Sequence, residues 1–141
     1  MVKNVLIIDD DMRRTAEAFN ELAVRYQKDV TFHYAEDGQK GLELIALMEG
    51  EEVKTETIYC IYLDLNMPLL TGDEVLKELQ TKGKKYPVVI TSMDQYAKER
   101  VQKTGYKFVV GYESILTDAA VFRRIGEQLP YDSVEEELWG N

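Results

Sequence analysis

The sequence is poor in several features that particular protein classes require. It has one cysteine in 141 residues, so no disulfide can form within the chain and a reducing, cytoplasmic compartment is expected. The apolar run nearest the N-terminus, residues 5–8, is too short for a signal peptide or for the ~20 apolar residues of a membrane span. Lys and Arg form no run longer than two residues and the net charge is −9, which argues against direct binding to nucleic acid or to a membrane.

The length and apolar content are those of one globular domain. With 45% hydrophobic residues, a chain of 141 residues can build a core without disulfides or a structural metal. Residues 131–141 differ from the rest, because they contain three successive glutamates and the single tryptophan. We predict one folded domain over residues 1–130, an acidic C-terminal tail over residues 131–141, and no second domain.

Short apolar runs alternate with segments of helical spacing along the chain. The runs are typical of strands covered on both faces, as in a parallel sheet, and they are residues 5–8, 30–34, 58–63, 88–90 and 108–110. The segments with helical spacing are residues 16–26, 42–48, 75–79, 95–104 and 115–129. This alternation predicts an α/β fold, a doubly wound five-stranded parallel sheet with helices on both faces.

Acidic side chains stand at the carboxyl ends of two predicted strands. Asp9 and Asp10 follow the first strand, and Asp64 follows the third. Ligands bind outside the carboxyl ends of open parallel sheets, and strands one and three are neighbours in a common doubly wound order. We predict that the three carboxylates converge and that Mg²⁺, a hard divalent cation, relieves their repulsion. The only histidine and the only cysteine offer no softer metal site.

This arrangement suits the transfer of a phosphoryl group to a carboxylate. Asp64 would attack phosphorus in line while Mg²⁺ and nearby donors neutralise the charge on the oxygens. A hydroxyl at the end of the fourth strand, from Ser92 or Thr91, would be its partner. Simpler interpretations exist: Asp11 suits the N-cap of the first helix, and Asp64 alone would pass for a loop acid before a turn. The joint occurrence of the acids at the correct strand ends favours the functional interpretation.

Several motifs together resemble the response-regulator receiver domains of two-component signalling. They are Leu6-Ile7-Ile8-Asp9-Asp10, Ala35-Glu36-Asp37-Gly38, Asp64-Leu65-Asn66-Met67-Pro68 followed by Gly72, and Pro87-Val88-Val89-Ile90-Thr91-Ser92. The resemblance covers nearly the whole chain. It implies a CheY-like, flavodoxin-like fold with strand order 2-1-3-4-5.

The resemblance also implies roles for particular residues. Asp64 is similar to the phosphoacceptor, and Asp9, Asp10, Asp64 and the backbone carbonyl of Asn66 would hold Mg²⁺. Ser92 falls at the position of the switch hydroxyl, although a one-residue gap would put Thr91 there instead.

Phe108 would occupy the aromatic switch position of strand five. The family usually ends this strand with a lysine that contacts the phosphoryl group, but here Gly111 stands in that place. Lys107 lies at the other end of the predicted strand and should not substitute.

These features predict a single-domain signalling protein and not an enzyme, since it would assist only its own phosphorylation and dephosphorylation. A histidine kinase or phosphotransfer protein would phosphorylate Asp64. The fourth predicted helix, fifth strand and fifth helix would then contact a protein target, with Tyr96, Tyr106 and Tyr112 supplying aromatic area. The same surface allows a symmetric homodimer. The alternative is a pseudo-receiver that binds proteins regardless of phosphorylation, because it lacks the lysine.

Overall fold

A five-stranded parallel sheet forms the centre of the structure, a computed structural model that describes residues 3–11, 30–50 and 57–113. The strands are β1 Lys3–Ile8, β2 Val30–Ala35, β3 Thr57–Asp64, β4 Val88–Thr91 and β5 Val109–Glu113. Their order is β2-β1-β3-β4-β5, which confirms the predicted fold class and order. The helices predicted at 16–26 and 115–129 and the tail at 131–141 lie outside the described residues.

The sheet register brings the predicted acids to one edge. Ile8 at the end of β1 is paired with Leu63 of β3, so Asp9 and Asp64 follow as the next neighbours. Asp64 is in turn paired with Thr91, the last residue of β4. The carboxyl ends of β1, β3 and β4 therefore meet at the same place.

Three helices are described: α1 Gly38–Glu49, α2 Gly72–Thr81 and α3 Ala97–Thr104. They correspond to the second, third and fourth predicted helices. The Asp37 side chain caps α1 by accepting a hydrogen bond from the Lys40 backbone N–H at 2.8 Å. A reciprocal capping box between Thr71 and Glu74 begins α2. No helix within the described ranges has the length and apolar character that crossing a membrane requires.

The apolar core lies on both faces of the sheet. On one face, side chains of α1, α2 and α3 pack against side chains of the strands. The larger members of this cluster include Leu6, Ile8, Leu63 and Ile90 of the strands and Leu76 and Leu79 of α2. On the other face a smaller buried cluster contains Val5, Ile7, Phe32, Cys60, Tyr62 and Val89. Alternate residues of β1, β3 and β4 contribute to the two faces, which explains why these strands read as continuous apolar runs.

Candidate functional site

Three carboxylates meet at the carboxyl ends of β1 and β3, as predicted. One oxygen from each of Asp9, Asp10 and Asp64 lies within 4.8 Å of the others. Asp9 and Asp64 are half-buried and Asp10 is exposed. Local backbone groups orient two of them: the Asp11 N–H donates to Asp9 Oδ1 at 2.8 Å, and the Asn66 N–H donates to Asp64 Oδ1 at 3.0 Å. The cluster is thus fixed by the strand ends and by the first turns after them.

Burial and mutual repulsion make Asp64 and Asp9 harder to ionise. Burial raises the pKa of Asp64 to about 6, with a further increase from the charges of Asp9 and Asp10, against the lowering effect of the Asn66 N–H. Burial likewise raises the pKa of Asp9, and its acidic neighbours add to the rise. Negative charge concentrated in this way favours the binding of a cation between the carboxylates.

The donor set of this cluster fits Mg²⁺. All three side chains offer carboxylate oxygen, the ligand type that hard divalent cations prefer. All three side chains are at least partly accessible, which suits an ion that keeps several water ligands. Asp9, Asp10 and Asp64 are therefore the residues that could hold the ion. His33, the only histidine, is remote from this set in the sheet: its Nε2 lies 2.7 Å from Oδ1 of buried Asn4.

The loop after β3 is held close to the strand by Gly72, the first residue of α2. The Gly72 N–H donates to the Leu65 carbonyl at 3.0 Å. A Cβ at position 72 would lie 2.4 Å from the Asp64 carbonyl oxygen, so only glycine allows this approach. Leu69, at φ 68°, completes the turn in the left-handed region, and its side chain is exposed. The Met-Pro turn and the glycine thus fix the backbone next to Asp64.

Two hydroxyls lie at the end of β4. Thr91 is paired with Asp64 in the sheet and is buried, and its Oγ1 has no hydrogen-bond partner among the described residues. Ser92, one residue further, is half-buried, and its Oγ accepts from the Asp94 N–H at 3.0 Å. The structure brings both hydroxyls to the edge of the sheet where the carboxylates meet.

The fifth strand differs from its predicted bounds. It starts at Val109 and continues to Glu113, because the register shifts by one residue between Val88 and Val89 of β4. Gly111 consequently lies inside the strand, opposite Val89, and does not end it. Glu113 is paired with Thr91 at the carboxyl end, so this end of β5 carries an acid and no cation.

Phe108 and Lys107 precede β5 at its amino end. The Phe108 ring packs edge-to-face against Tyr106, with centroids 5.8 Å apart. The structure therefore does not bring Phe108 together with Asp64 or Ser92. Lys107 is exposed at the same end, as the sequence predicts.

The predicted aromatic contact surface is only partly present. Tyr96 and Tyr112 are 55% and 38% exposed, and Lys98 lies 5.5 Å from the centroid of the Tyr112 ring. Tyr106, by contrast, is 5% exposed, and its hydroxyl donates to the Tyr86 carbonyl at 2.6 Å. The expectation that Tyr106 offers contact area is wrong, because it packs into the core beside α3.

Sequence analysis missed Arg100, which reaches the loop after Asp64 from α3. Its Nη1 donates to Asn66 Oδ1 at 2.8 Å, and its Nη2 lies 3.4 Å from the Leu65 carbonyl oxygen. It also forms ion pairs with Asp73 and Asp94. No local pattern indicates this role, since the contacts join residues 27 and 34 positions apart in the sequence.

Comparison with known sequences gives a consistent result. The sequence model of the response regulator receiver domain family matches residues 5–110. The chain is 32% identical over 117 residues to the transcriptional regulatory protein CiaR of Streptococcus pneumoniae, covering 83% of this chain and 45% of CiaR. It is 27% identical over 105 residues to an uncharacterized response regulatory protein of Vibrio parahaemolyticus, covering 74% of this chain and 40% of that protein. The chain thus spans less than half the length of these curated relatives.

Solved structures share the fold. The chemotaxis protein CheY4 of Vibrio cholerae superposes with a TM-score of 0.64 at 19% identity, over 92% of this chain and 100% of CheY4. The N-terminal domain of an uncharacterized protein from Wolinella succinogenes superposes with a TM-score of 0.68 at 19% identity, with all of both chains covered. At these identities the likeness concerns the fold alone.

Proposed function

Because the chain belongs to the response regulator receiver domain family, we propose that Asp64 accepts a phosphoryl group and thereby switches protein contacts. Receiver domains act in two-component signalling, where histidine kinases or phosphotransfer proteins are the general phosphodonors. The observation that carries the proposal is the convergence of Asp9, Asp10 and Asp64 within 4.8 Å at the carboxyl edge of the sheet. The single cysteine of the chain, buried Cys60, supports a reducing, cytoplasmic site of action.

The phosphoryl transfer requires an ionised Asp64. One of its carboxylate oxygens forms a new bond to phosphorus, while the bond between phosphorus and the imidazole nitrogen of the donor phosphohistidine breaks. The electron pair of that bond stays on the imidazole, which takes up a proton. With its pKa raised to about 6, Asp64 is ionised at neutral pH and is more basic than an ordinary aspartate.

Asp9, Asp10 and Asp64 would hold Mg²⁺, together with the Asn66 backbone carbonyl. When bound, the ion supplies positive charge that neutralises the phosphoryl oxygens and the carboxylates around them. The protein residues contribute by position: the Asn66 N–H orients Asp64, and Gly72 keeps the following loop close to β3. The domain assists only its own phosphorylation and dephosphorylation.

Ser92 is the proposed switch hydroxyl. It is half-buried and begins the loop that joins β4 to α3, and its Oγ already bonds to the Asp94 N–H of that loop. A new hydrogen bond donated by the Ser92 hydroxyl to the phosphoryl group would draw Oγ toward Asp64, weaken its contact with the Asp94 N–H and reorder the loop. The exposed Tyr96 and Tyr112 lie on α3's N-terminal side and on β5, where a target protein or a second copy would sense the change.

The second candidate is the pseudo-receiver, a protein-binding module that ignores phosphorylation. The sequence of β5 favours it, because the strand carries no cation and ends in Glu113. In that case the acids would form a metal-binding or structural site. The two functions differ in whether modification of Asp64 changes affinity for a partner.

Intact-mass spectrometry separates these functions. We would incubate the protein with a small phosphodonor, with and without Mg²⁺, beside Asp64→Asn and the matched control Asp11→Asn. The proposed function predicts a Mg²⁺-dependent gain of one phosphoryl group in the wild type and in Asp11→Asn, and none in Asp64→Asn. Absence of the gain while Mg²⁺ still binds would support the pseudo-receiver.

A further inference from the structure

Arg100 connects the loop after Asp64 to the loop after Ser92. Its Nη1 donates to Asn66 Oδ1 at 2.8 Å, and the Asn66 N–H donates to Asp64 Oδ1 at 3.0 Å. The same Nη1 donates to Asp94 Oδ2 at 2.7 Å. A single guanidinium nitrogen therefore bonds both to Asn66, which orients the proposed phosphoacceptor, and to Asp94 in the loop after Ser92.

A second carboxylate anchors this guanidinium. Asp73, in the first turn of α2, accepts from Nε at 2.9 Å and from Nη2 at 2.5 Å, which is the bidentate geometry that arginine favours. Burial raises the pKa of Asp73, but the hydrogen bonds from Arg100 outweigh it and hold that pKa below its usual value. The Arg100 side chain is only 24% exposed, and the two hydrogen bonds to Asp73 fix its orientation.

The bond to Asp94 is the one that can be exchanged. Asp94 belongs to the loop between β4 and α3, where its N–H donates to Ser92 Oγ and its Oδ1 accepts from the Tyr96 N–H at 2.8 Å. If Arg100 releases Asp94, it remains paired with Asp73. The same change removes from Asp94 its ion pair with α3.

A phosphoryl group on Asp64 would bring more negative charge into a cluster that already holds three carboxylates. Arginine is well suited to phosphate oxygens, because it is always charged and presents several donors in one plane. We propose that Arg100 binds the phosphoryl group on Asp64 through Nη1, in exchange for Asp94, and so transmits phosphorylation to the Ser92 loop. This inference rests on the proposed function, and it assigns the task of the absent strand-five lysine to a helix residue.

Two substitutions test this role, with a control from the same helix. Arg100→Gln removes the charge, Arg100→Lys keeps the charge with fewer donors, and Lys103→Gln removes an exposed cation from the last turn of α3. Initial rates of Asp64 phosphorylation are measured against phosphodonor concentration in Mg²⁺, together with the amide NMR signals of Ser92 and Asp94.

We expect Arg100→Gln to slow phosphorylation about ten- to a hundredfold, the effect of one charge-assisted hydrogen bond. Arg100→Lys should fall between Arg100→Gln and the wild type, and Lys103→Gln should match the wild type. The shift of the Asp94 amide signal on phosphorylation should be clearly smaller in Arg100→Gln than in the wild type, because only the Ser92 contact still changes.

A measurement on the wild type keeps the proposal testable if Arg100→Gln does not fold. In the phosphorylated protein, an Arg100 side-chain nitrogen should show scalar coupling to phosphorus across the hydrogen bond. If the wild type takes up phosphoryl but Arg100 shows no coupling and no shift, the role of Arg100 is overturned while Asp64 phosphorylation stands. If the wild type takes up no phosphoryl, both proposals fail.

Discussion

At the scale of single residues, the central feature is a carboxylate that the fold makes reluctant to ionise. Burial raises the pKa of Asp64 from its ordinary value of 3.8 to about 6, and the charges of Asp9 and Asp10 add to the shift. The folded chain therefore keeps a proton on Asp64 over a pH range in which the unfolded chain has lost it. This residue opposes folding at neutral pH in the absence of a cation.

Substitution of Asp64 should therefore stabilise the metal-free protein. Relative to wild type, we expect Asp64→Asn to have equal stability near pH 4 and to be more stable by ~1 kcal/mol at pH 7, a value reduced for solvent screening. The advantage should develop between pH 4 and about 6, where the unfolded wild type has lost the Asp64 proton and the folded wild type still holds it, and it should level off above the folded pKa. Denaturant unfolding in chelator at several pH values measures it, and a difference that does not change with pH would contradict this explanation.

The two hydroxyls at the end of β4 should respond differently to substitution. Thr91→Val should leave the phosphorylation rate unchanged and keep or slightly raise stability, because it removes a buried hydroxyl without a described partner. Ser92→Ala should still accept phosphoryl but should lose part of the response of the Asp94 amide signal, since Oγ holds that N–H. Intact-mass kinetics and amide NMR on both variants check this; the opposite pattern would make Thr91 the switch.

At the scale of the elements, the start of α2 is fixed against the end of β3. The Gly72 N–H bonds to the Leu65 carbonyl, and the capping box of Thr71 and Glu74 determines where the helix begins. The same first turn places Asp73 beside Arg100. The position of this helix therefore affects both the backbone at Asp64 and the orientation of Arg100, which we propose binds the phosphoryl group.

Gly72→Ala should disturb both stability and phosphorylation. Its Cβ would lie 2.4 Å from the Asp64 carbonyl oxygen and 2.7 Å from Leu65 Cα, and backbone atoms cannot yield as a flexible side chain can. We expect a loss of about 1–3 kcal/mol in unfolding free energy, typical of overpacking, and slower phosphorylation. Gly50→Ala is the matched control, because its Cβ has 3.4 Å to the nearest atom, and its stability should change by less than about 0.5 kcal/mol. Equal effects of the two substitutions in denaturant unfolding would contradict this account of Gly72.

The elements also show which parts of the fold the sequence determines locally. The apolar runs of β1, β3 and β4 predicted buried strands because both of their faces are covered. The end of β5 was not predictable in this way. Its extension to Glu113 follows from a register shift against β4, which depends on packing between strands and leaves no local pattern.

The candidate site residues also differ in whether the sequence alone could predict them. Asp9, Asp10 and Asp64 were predictable, because parallel strands bring their carboxyl ends to one edge and strand order follows from the motif. Arg100 was not, since its partners come from three separate segments of the chain. Tyr106 was misplaced for a similar reason: its burial depends on Tyr86, 20 residues earlier.

At the scale of the whole molecule, charge connects the site to stability. The chain carries a net charge of −9, and three of its carboxylates are concentrated at one edge of the sheet. A cation that binds the folded form and not the unfolded form stabilises it by mass action. General screening by salt also relieves repulsion, so the two effects need to be separated.

Mg²⁺ should raise the melting temperature beyond any effect of ionic strength. At a Mg²⁺ concentration a hundred times Kd, binding contributes about 2.7 kcal/mol. Thermal unfolding in MgCl₂ should be compared with NaCl of equal ionic strength, for the wild type and for Asp9→Asn and Asp10→Asn. The increase in melting temperature that is specific to Mg²⁺ should disappear in the double variant that carries both Asp9→Asn and Asp10→Asn. If the increase persists in the double variant, the ion binds elsewhere.

The measurement that tests the central claim most directly is the location of the phosphoryl group in the wild-type chain. Borohydride reduces an aspartyl phosphate to homoserine, so reductive trapping after treatment with phosphodonor and Mg²⁺, followed by peptide mass mapping, identifies the modified residue. We predict homoserine at position 64 and an unmodified aspartate at positions 9 and 10. Trapping at another acidic residue, or at none while the phosphodonor is present, would contradict the assignment of Asp64 as the phosphoacceptor.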